Sequence, residues 1–497
     1  MRIYATGALV LSTTVMSCGR FQSYAPAPVA EPSVSAFVGR RLDDPALGQF
    51  LSAQDAGVTA AGWSPQQLAL AALYFHPALR EQAAAVDVAR AAEVTAGTPP
   101  PVSASAEVSR AAHVDNGKST PWSISLLTGL TFETGGKRAA RRARARAFTL
   151  ASVLRLQAAG WQLGAIATAQ AAVRAIAADR ALADADSEHT ALAELATLVW
   201  ARYGEGQITL ADVAQAETEA QRALVAAVDA RRARTSARLA LARALAVPLR
   251  AVDTLPLRAD SARACAPDAP GNFDSLGALA LRQRYDLGEA LADYAVAEGD
   301  LRVEIARQYP DITIGPGIAW DQGIARWILS LGTPGLLRRV NRGPIAESRA
   351  RRVAEARRVA TIQDSVLVAV DSAVAACRDA SREAEATAAL VESSSRSLEL
   401  AQGAYARGET GATEVAFARV AVLRAERAQH GAAARALEAA TALASALGAW
   451  TGGGPRWPDL TALTALTTAR TANTAGAADT ADTAGTHGGR DRPEELK

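Results

Sequence analysis

The chain has 497 residues and a formal net charge of +2, from 53 basic and 51 acidic side chains, so composition gives no general drive toward nucleic acid. Nearly half the residues are apolar (49%) but only 5% are aromatic. Much of the apolar content is alanine, which favours helix and fills little volume, so long, closely packed helices are expected in place of a wide globular core. The length corresponds to about three domains.

The N-terminus reads as an export signal. Arg2 is the lone early charge, and Ile3 to Met16 is uncharged and includes Ala8, Leu9, Val10, Leu11 and Val15. That stretch is short for a membrane span and fits the apolar part of a signal peptide. It ends in Val15-Met16-Ser17-Cys18, which resembles a bacterial lipobox. Residues 1–17 would then be removed, and Cys18 would become an acylated first residue. Gly19, not Asp, follows it, which resembles lipoproteins sent to the outer membrane. Residues 18–63 are rich in Pro, Ala, Ser and Gly and read as an extended, lipid-anchored tether. No uninterrupted run of 18 apolar residues occurs, so a membrane crossing is expected to use strands.

The rest is an internal duplication. Tyr203-Gly204-Glu205-Gly206 matches Tyr405-Ala406-Arg407-Gly408 at an offset of 202 positions (206 to 408), and the same offset maps Asp212-Val213 onto Glu414-Val415. Pro101 and Pro310 each open a strand-like run, at an offset of 209. The first repeat spans 64–248, a linker 249–272 and the second repeat 273–450. Each reads helix, strand, strand, long helix, tight turn, long helix.

Ser64-Pro65-Gln66-Gln67 is a capping box with proline at the first helical position; it predicts a helix running through His76-Pro77-Ala78-Leu79 to about Gly97. In Val102 to Ser109, Val102, Ala104, Ala106 and Val108 alternate with polar residues. In Ser123 to Phe132, Ile124, Leu126, Leu130 and Phe132 share one face. The second repeat does the same with Ile312, Ile314, Pro316, Ile318 and Trp320, then with Trp327, Leu329 and Leu331. Period two with one apolar face predicts strands, and Asp115-Asn116-Gly117-Lys118 suits the turn between the first two. Runs of this length fit tilted strands crossing a bilayer, with Trp320 and Trp327 near strand ends as a belt. Ile124, Leu126, Ile312 and Ile314 would face lipid, and Ser125 and Thr313 a lumen. Two soluble hairpins packed on helices remain the alternative. Four strands cannot close a barrel alone, so a membrane role requires oligomerisation.

From Lys137 to Arg202 there is no proline, which predicts a helix on the order of 100 Å long. Leu192, Leu195 and Val199, then Val213, Ala216, Ala220 and Leu224, form narrow seams suited to coiled-coil-like packing. A long antiparallel hairpin closed over Tyr203 to Gln207 follows.

These phrases resemble the TolC outer-membrane efflux family over about Ser64 to Trp450. His76-Pro77-Ala78-Leu79 and Arg284-Tyr285-Asp286-Leu287 are similar to the words that open the family's two repeats. Tyr309-Pro310-Asp311-Ile312 resembles the approach to a barrel strand, and Ile328 to Leu336 the exit from the last one. Arg202-Tyr203-x-x-Gly206-x-x-Thr209-x-x-Asp212-Val213 is similar to the family's hairpin tip, with Gly411 replacing the hydroxyl residue in the second copy.

The resemblance implies a mainly α chain with a small β part. Three subunits would build a periplasmic α-barrel tunnel and one transmembrane β-barrel, with four strands from each. It implies a homotrimeric outer-membrane duct whose tips meet a periplasmic adaptor, itself bound to an inner-membrane pump, in a tripartite efflux or type I secretion system. Arg202, Tyr203, Gly206, Thr209, Tyr405 and Gly408 would form the docking site or gate, and Pro101 and Pro310 would open barrel strands. No catalysis, cofactor or nucleic acid is implied.

The remaining constellations have structural readings. Lys137, Arg138, Arg141, Arg142, Arg144 and Arg146 form a basic run, and Arg338, Arg339, Arg342, Arg349, Arg351 and Arg352 form its counterpart; both begin just after a second strand. A duplicated position points to a structural or pore-lining role. The three cysteines, Cys18, Cys265 and Cys377, are scattered and odd in number, so no disulfide framework or zinc spacing is read. The five histidines and two methionines show no metal-ligand spacing, and no nucleophile-elbow or phosphate-loop phrase supports an enzyme. Residues 451–497, rich in Ala, Thr and Gly, read as a disordered tail. A non-channel periplasmic or surface coiled-coil scaffold lipoprotein is the rival function.

Overall fold

The computed structural model describes residues 34–54, 56–57, 62–112, 120–259, 265, 273–333 and 341–449. Cys18 and its signal segment, the 115–118 turn, residues 334–340 with Arg338 and Arg339, and the tail after Thr451 lie outside the described residues. Met1–Arg40 is a unit of its own, in which Val34–Val38 forms a short helix, α1. Arg41–Lys497 is the second unit and contains both repeats.

The stretch expected as an extended tether contains a helix, α2, over Pro45–Ser52. Asp44 accepts a hydrogen bond from the Ala46 amide at 2.9 Å and proline occupies the first turn, a strong start signal. Leu47, Phe50 and Leu51, at i, i+3 and i+4, are buried. Overall composition hid this local apolar spacing.

Helix α3, Pro65–Phe75, begins with the expected capping box: the Ser64 hydroxyl accepts from the Gln67 amide at 3.3 Å, and Gln67 Oε1 accepts from the Ser64 amide at 2.9 Å. The single helix expected to run on to Gly97 breaks at His76, which is extended at φ −71°, ψ 122°. Pro77 lacks an amide donor and pushes its predecessor out of the α region, and α4 restarts over Pro77–Ala96. The second repeat breaks at the matching place without proline. Phe273–Gln283 (α8) and Tyr285–Ala306 (α9) flank an extended Arg284 at φ −70°, ψ 129°.

Strands β1 (Ser103–Arg110), β2 (Trp122–Phe132), β3 (Ile312–Asp321) and β4 (Ile324–Gly332) form one antiparallel sheet in the order β1-β2-β3-β4. The two repeats therefore meet at β2 and β3. The register sets Ile124 opposite Trp320, Leu126 opposite Ile318 and Leu130 opposite Ile314, while Ile318 faces Trp327. One face thus collects most of the large apolar residues of the four strands, with Leu127 and Ile328 on the other. That other face also carries Ser125, Thr131 and Thr313, with the Thr131 and Thr313 hydroxyls 3.4 Å apart. β4 begins three residues before the expected Trp327, because Gln322 and Gly323 take left-handed φ of 51° and 101° in a tight hairpin turn. Trp327 consequently sits mid-strand, not near a strand end. Among the described residues of the chain, β1 and β4 have no partner on their outer edges.

The long first-repeat helix is helical throughout from Lys137 to Gly204, as α5 (Lys137–Trp161), a π-helical turn (Gln162–Thr168) and α6 (Ala169–Gly204). It pairs with α7, Leu210–Leu245. The second hairpin joins α10, Arg342–Ala406, to α11, Ala412–Ala446. At about 1.5 Å per residue, the 65 residues of α10 extend about 100 Å. A stretch of α10 is long and apolar enough by composition to cross a membrane, which the search for uninterrupted apolar runs missed. It is alanine- and valine-rich, and Val366, Val370, Ala373 and Cys377 pack in a core cluster with residues of α8 and α11.

The seam inside each hairpin is apolar. Leu192, Leu195 and Val199 meet Val213, Ala220 and Ala223 near the first tip. A larger cluster gathers Leu47, Leu68, Phe75, Leu241, Leu245 and Val252, and ties the start of the first repeat to its end. The linker is held there by Arg238, only 4% exposed, which donates to the carbonyls of Val252 (2.5 Å) and Leu255 (2.8 Å) and pairs with Asp179. Leu257 forms a parallel bridge with Trp63. The reading of the cysteines is corrected: Cys265 and Cys377 form a disulfide across 112 positions, with their Cα atoms 5.0 Å apart. Their separation in sequence carries no sign of that meeting.

Candidate functional site

Both hairpins reverse by the same backbone device. Gly206 and Gly408 stand at φ +72° and +73°, where a Cβ would clash with its own backbone. In the first tip the Gln207 amide donates to the Arg202 carbonyl at 3.0 Å and the Gly206 amide to that of Tyr203 at 2.9 Å. In the second, Glu409 donates to Ala404 and Gly408 to Tyr405, both at 2.9 Å. This pair of bonds closes a helix end by satisfying its last carbonyls.

The exits from the two turns differ. Thr209 caps α7 in a box: its hydroxyl accepts from the Asp212 amide at 3.3 Å, and Asp212 accepts from the Thr209 amide at 2.9 Å. The Thr209 hydroxyl and amide bonds hold the Asp212 carboxyl below its ordinary range. Gly411 stands in the equivalent place and supplies no side-chain cap to α11. Glu414, the counterpart of Asp212, instead accepts from Arg202 of the first tip at 3.3 Å. The structure thus joins the two tips through a pair that sequence reading did not identify.

Tyr203 is 38% and Tyr405 52% exposed. Trp200 meets the Tyr203 ring edge-on at 5.8 Å and donates its indole N–H to Glu217 at 2.8 Å. It lies three residues before Tyr203 on the same helical face, a spacing that would have flagged it. Arg202, Tyr203, Gly206 and Thr209 gather in the first tip, and Tyr405 and Gly408 in the second. Pro101 and Pro310 each precede a strand by two residues, and the Pro310 carbonyl accepts from the Thr134 hydroxyl at 2.5 Å.

Between the hairpins the contact is apolar at Val420 of α11, which is buried in the first hairpin's cluster, and ionic along its flanks. Along α6 and α11, running antiparallel, Asp184 meets His430 (3.1 Å), Glu188 meets Arg424 (2.9 Å) and Arg427 (2.8 Å), and Glu194 meets Arg419 (3.1 Å). Burial pushes the Glu188 carboxyl up, but its two guanidinium partners outweigh burial and hold it below the usual carboxylate range.

Near the sheet, much of the duplicated basic run is neutralised. Lys137 pairs with Asp311 (2.7 Å), Arg144 with Asp300 (2.8 Å) and Arg146 with Glu93 (2.9 Å). Arg141 pairs with Glu133 and Arg155 with Asp293. On α10, Arg352 pairs with Glu298 (3.1 Å) and Arg358 with Asp293 (3.0 Å). Helix α9 thus supplies acids to both runs, which is the structural part of the role expected for them.

Residues 68–247 match the family model described as outer membrane efflux protein. No curated protein sequence matches the chain. Among solved structures, a membrane protein from Pseudomonas aeruginosa is similar at a TM-score of 0.62 and 22% identity, covering 79% of this chain and 93% of that one. The outer membrane protein VceC of Vibrio cholerae follows at 0.60 and 18%, covering 78% and 97%. The open state of the Neisseria gonorrhoeae MtrE outer membrane channel gives 0.58 and 20%, covering 79% and 91%. The first repeat therefore carries the pattern of the outer membrane efflux protein family, and the chain has the TolC-type fold seen in these outer-membrane channel structures.

Proposed function

We propose that this chain is one subunit of a homotrimeric, passive export duct of the bacterial outer membrane, without catalysis of its own. The sheet crosses the membrane, and the two hairpins reach through the periplasm to an adaptor that is itself bound to an inner-membrane pump. The observation that carries this reading is the sheet. One face is largely apolar along all four strands, and among the described residues both edges are open. Open edges are not tolerated in lipid, where every backbone polar group needs a partner, so further copies must close it. The test is membrane fractionation, detergent extraction and mass measurement, followed by conductance in a planar bilayer. A trimer that conducts is expected. A water-soluble, non-conducting species would replace the duct by a coiled-coil scaffold.

The lipid anchor rests on the sequence around Cys18. Several acyl chains anchor stably where one binds marginally, and the sheet provides a second hold. Cys18→Ser is expected to abolish acyl labelling while leaving part of the protein in the outer membrane. Labelling that persists in the mutant would remove the anchor from the reading.

The tips are the proposed docking site and gate. An exposed tyrosine presents an apolar ring and a hydroxyl to a partner. Tyr203→Ala with Tyr405→Ala is expected to leave trimers and melting unchanged, while cross-linking to the adaptor falls or passive leakage rises. A joint fall in trimer yield and thermal stability would instead make both residues staples of their turns.

A further inference from the structure

Among the described residues, four arginines of the duplicated basic runs take no acid from the chain. Arg138 and Arg142 in α5, and Arg342 and Arg349 in α10, are exposed, and none has a carboxylate partner among the described residues. Arg138 donates only its Nε, to the Gly97 carbonyl at 2.6 Å, which leaves its terminal nitrogens unengaged. Neither helix has an acid in its first turn. In the first turns, Arg138 and Arg342 oppose the helix dipole, which favours negative charge at that end, so helix stability does not account for those two.

Their position does. Arg138 lies six residues beyond Phe132, the last residue of β2, and Arg342 ten beyond Gly332, the last of β4. At this end of the sheet Phe132 and Tyr309 are exposed apolar rings, a pairing of aromatic and basic residues that marks a membrane interface. The opposite end differs: Arg110 stacks on Trp122 at 5.7 Å and Arg326 lies 3.7 Å from Asp321. Among the described residues, four arginines without an acid follow the strands at the helix-side rim, and Arg110, held by a ring and not by a carboxylate, lies at the other end.

We infer that Arg138, Arg142, Arg342 and Arg349 form a docking surface for anionic phospholipid headgroups of the periplasmic leaflet, a reading that rests on the sheet crossing the membrane. Each guanidinium offers a fork of donors matched to a phosphate, and basic side chains just outside a spanning segment attract acidic lipids.

The test uses the full chain in nanodiscs of mixed phosphatidylglycerol and phosphatidylcholine, with retained lipid measured by mass spectrometry. The parent should retain phosphatidylglycerol preferentially, and the preference should weaken as salt rises. The combined variant R138Q/R142Q/R342Q/R349Q should lower it about tenfold or more, and lysine at the same four positions should preserve most of it. Unchanged preference in the glutamine variant, or loss of anion selectivity in its conductance in place of lipid, would overturn the inference and make these arginines pore-lining. A parent that conducts and inserts but shows no lipid preference overturns this inference alone. A parent that does not insert overturns the membrane reading and this inference with it.

Discussion

Leu126→Arg is expected to abolish trimer assembly in the outer membrane, while Ser125→Arg, one residue away, is tolerated. The two side chains leave opposite faces of β2. Leu126 lies in the central row of the apolar face, between Ala106 on β1 and Ile318 on β3, with Trp327 beyond. Ser125 shares the polar face with Glu107 and Arg326. A cation at the bilayer midplane on the lipid face of a barrel costs about 2–4 kcal/mol, and a homotrimer would meet that cost three times. On a water-filled face the arginine stays hydrated. Ile314 also faces the apolar side, but it is the third residue of β3, nearer the helix-side rim, and Ile314→Arg should act more weakly because the penalty falls toward the interface. Trimer yield in the membrane fraction checks all three. Equal tolerance at Leu126 and Ser125 would rule out a lipid-facing side.

Replacing Cys265 and Cys377 together by serine should lower the thermal midpoint of the purified protein sharply and expose the linker to protease. The bond closes a loop of 112 positions, and loops of that order gain about 4–5 kcal/mol from restriction of the unfolded chain in the entropic account. That loop contains β3, β4, α9 and the start of α10, so the link fastens the linker to the second repeat's helical core, where Cys377 is buried with Val366, Val370 and Leu443. Reductant should reproduce the effect on the unmutated protein and add nothing to the double mutant. An unchanged midpoint in both experiments would show that the two thiols stay reduced. The bond also fits a periplasmic location, since disulfides persist in oxidising compartments.

What local chemistry writes into the chain was legible before any coordinates. The capping box at Ser64 and Gln67, the alternation of Ile312, Ile314, Ile318 and Trp320, the positive-φ glycines at 206 and 408, and the duplication itself all reside within a few residues of each other or at a constant offset. Periodicity and turn chemistry act over that range. Two local signals run against the wider pattern around them. The break at His76 required weighing Pro77 against the helical pattern on both sides, and α2 lay in a segment judged by its composition as a whole.

Only the tertiary structure decided the rest, because it concerns pairs brought together by packing across large separations. The joining of β2 to β3, the Cys265–Cys377 bond, the Arg238 hold on the linker and the acids of α9 that neutralise two distant basic runs leave no mark on either partner's neighbourhood. The clearest case is Glu414. Sequence alone made it the equivalent of Asp212 and showed that Gly411 replaces the hydroxyl residue before it. That the freed carboxylate reaches Arg202 on the other hairpin follows from how α6 and α11 lie side by side, which no window of sequence contains.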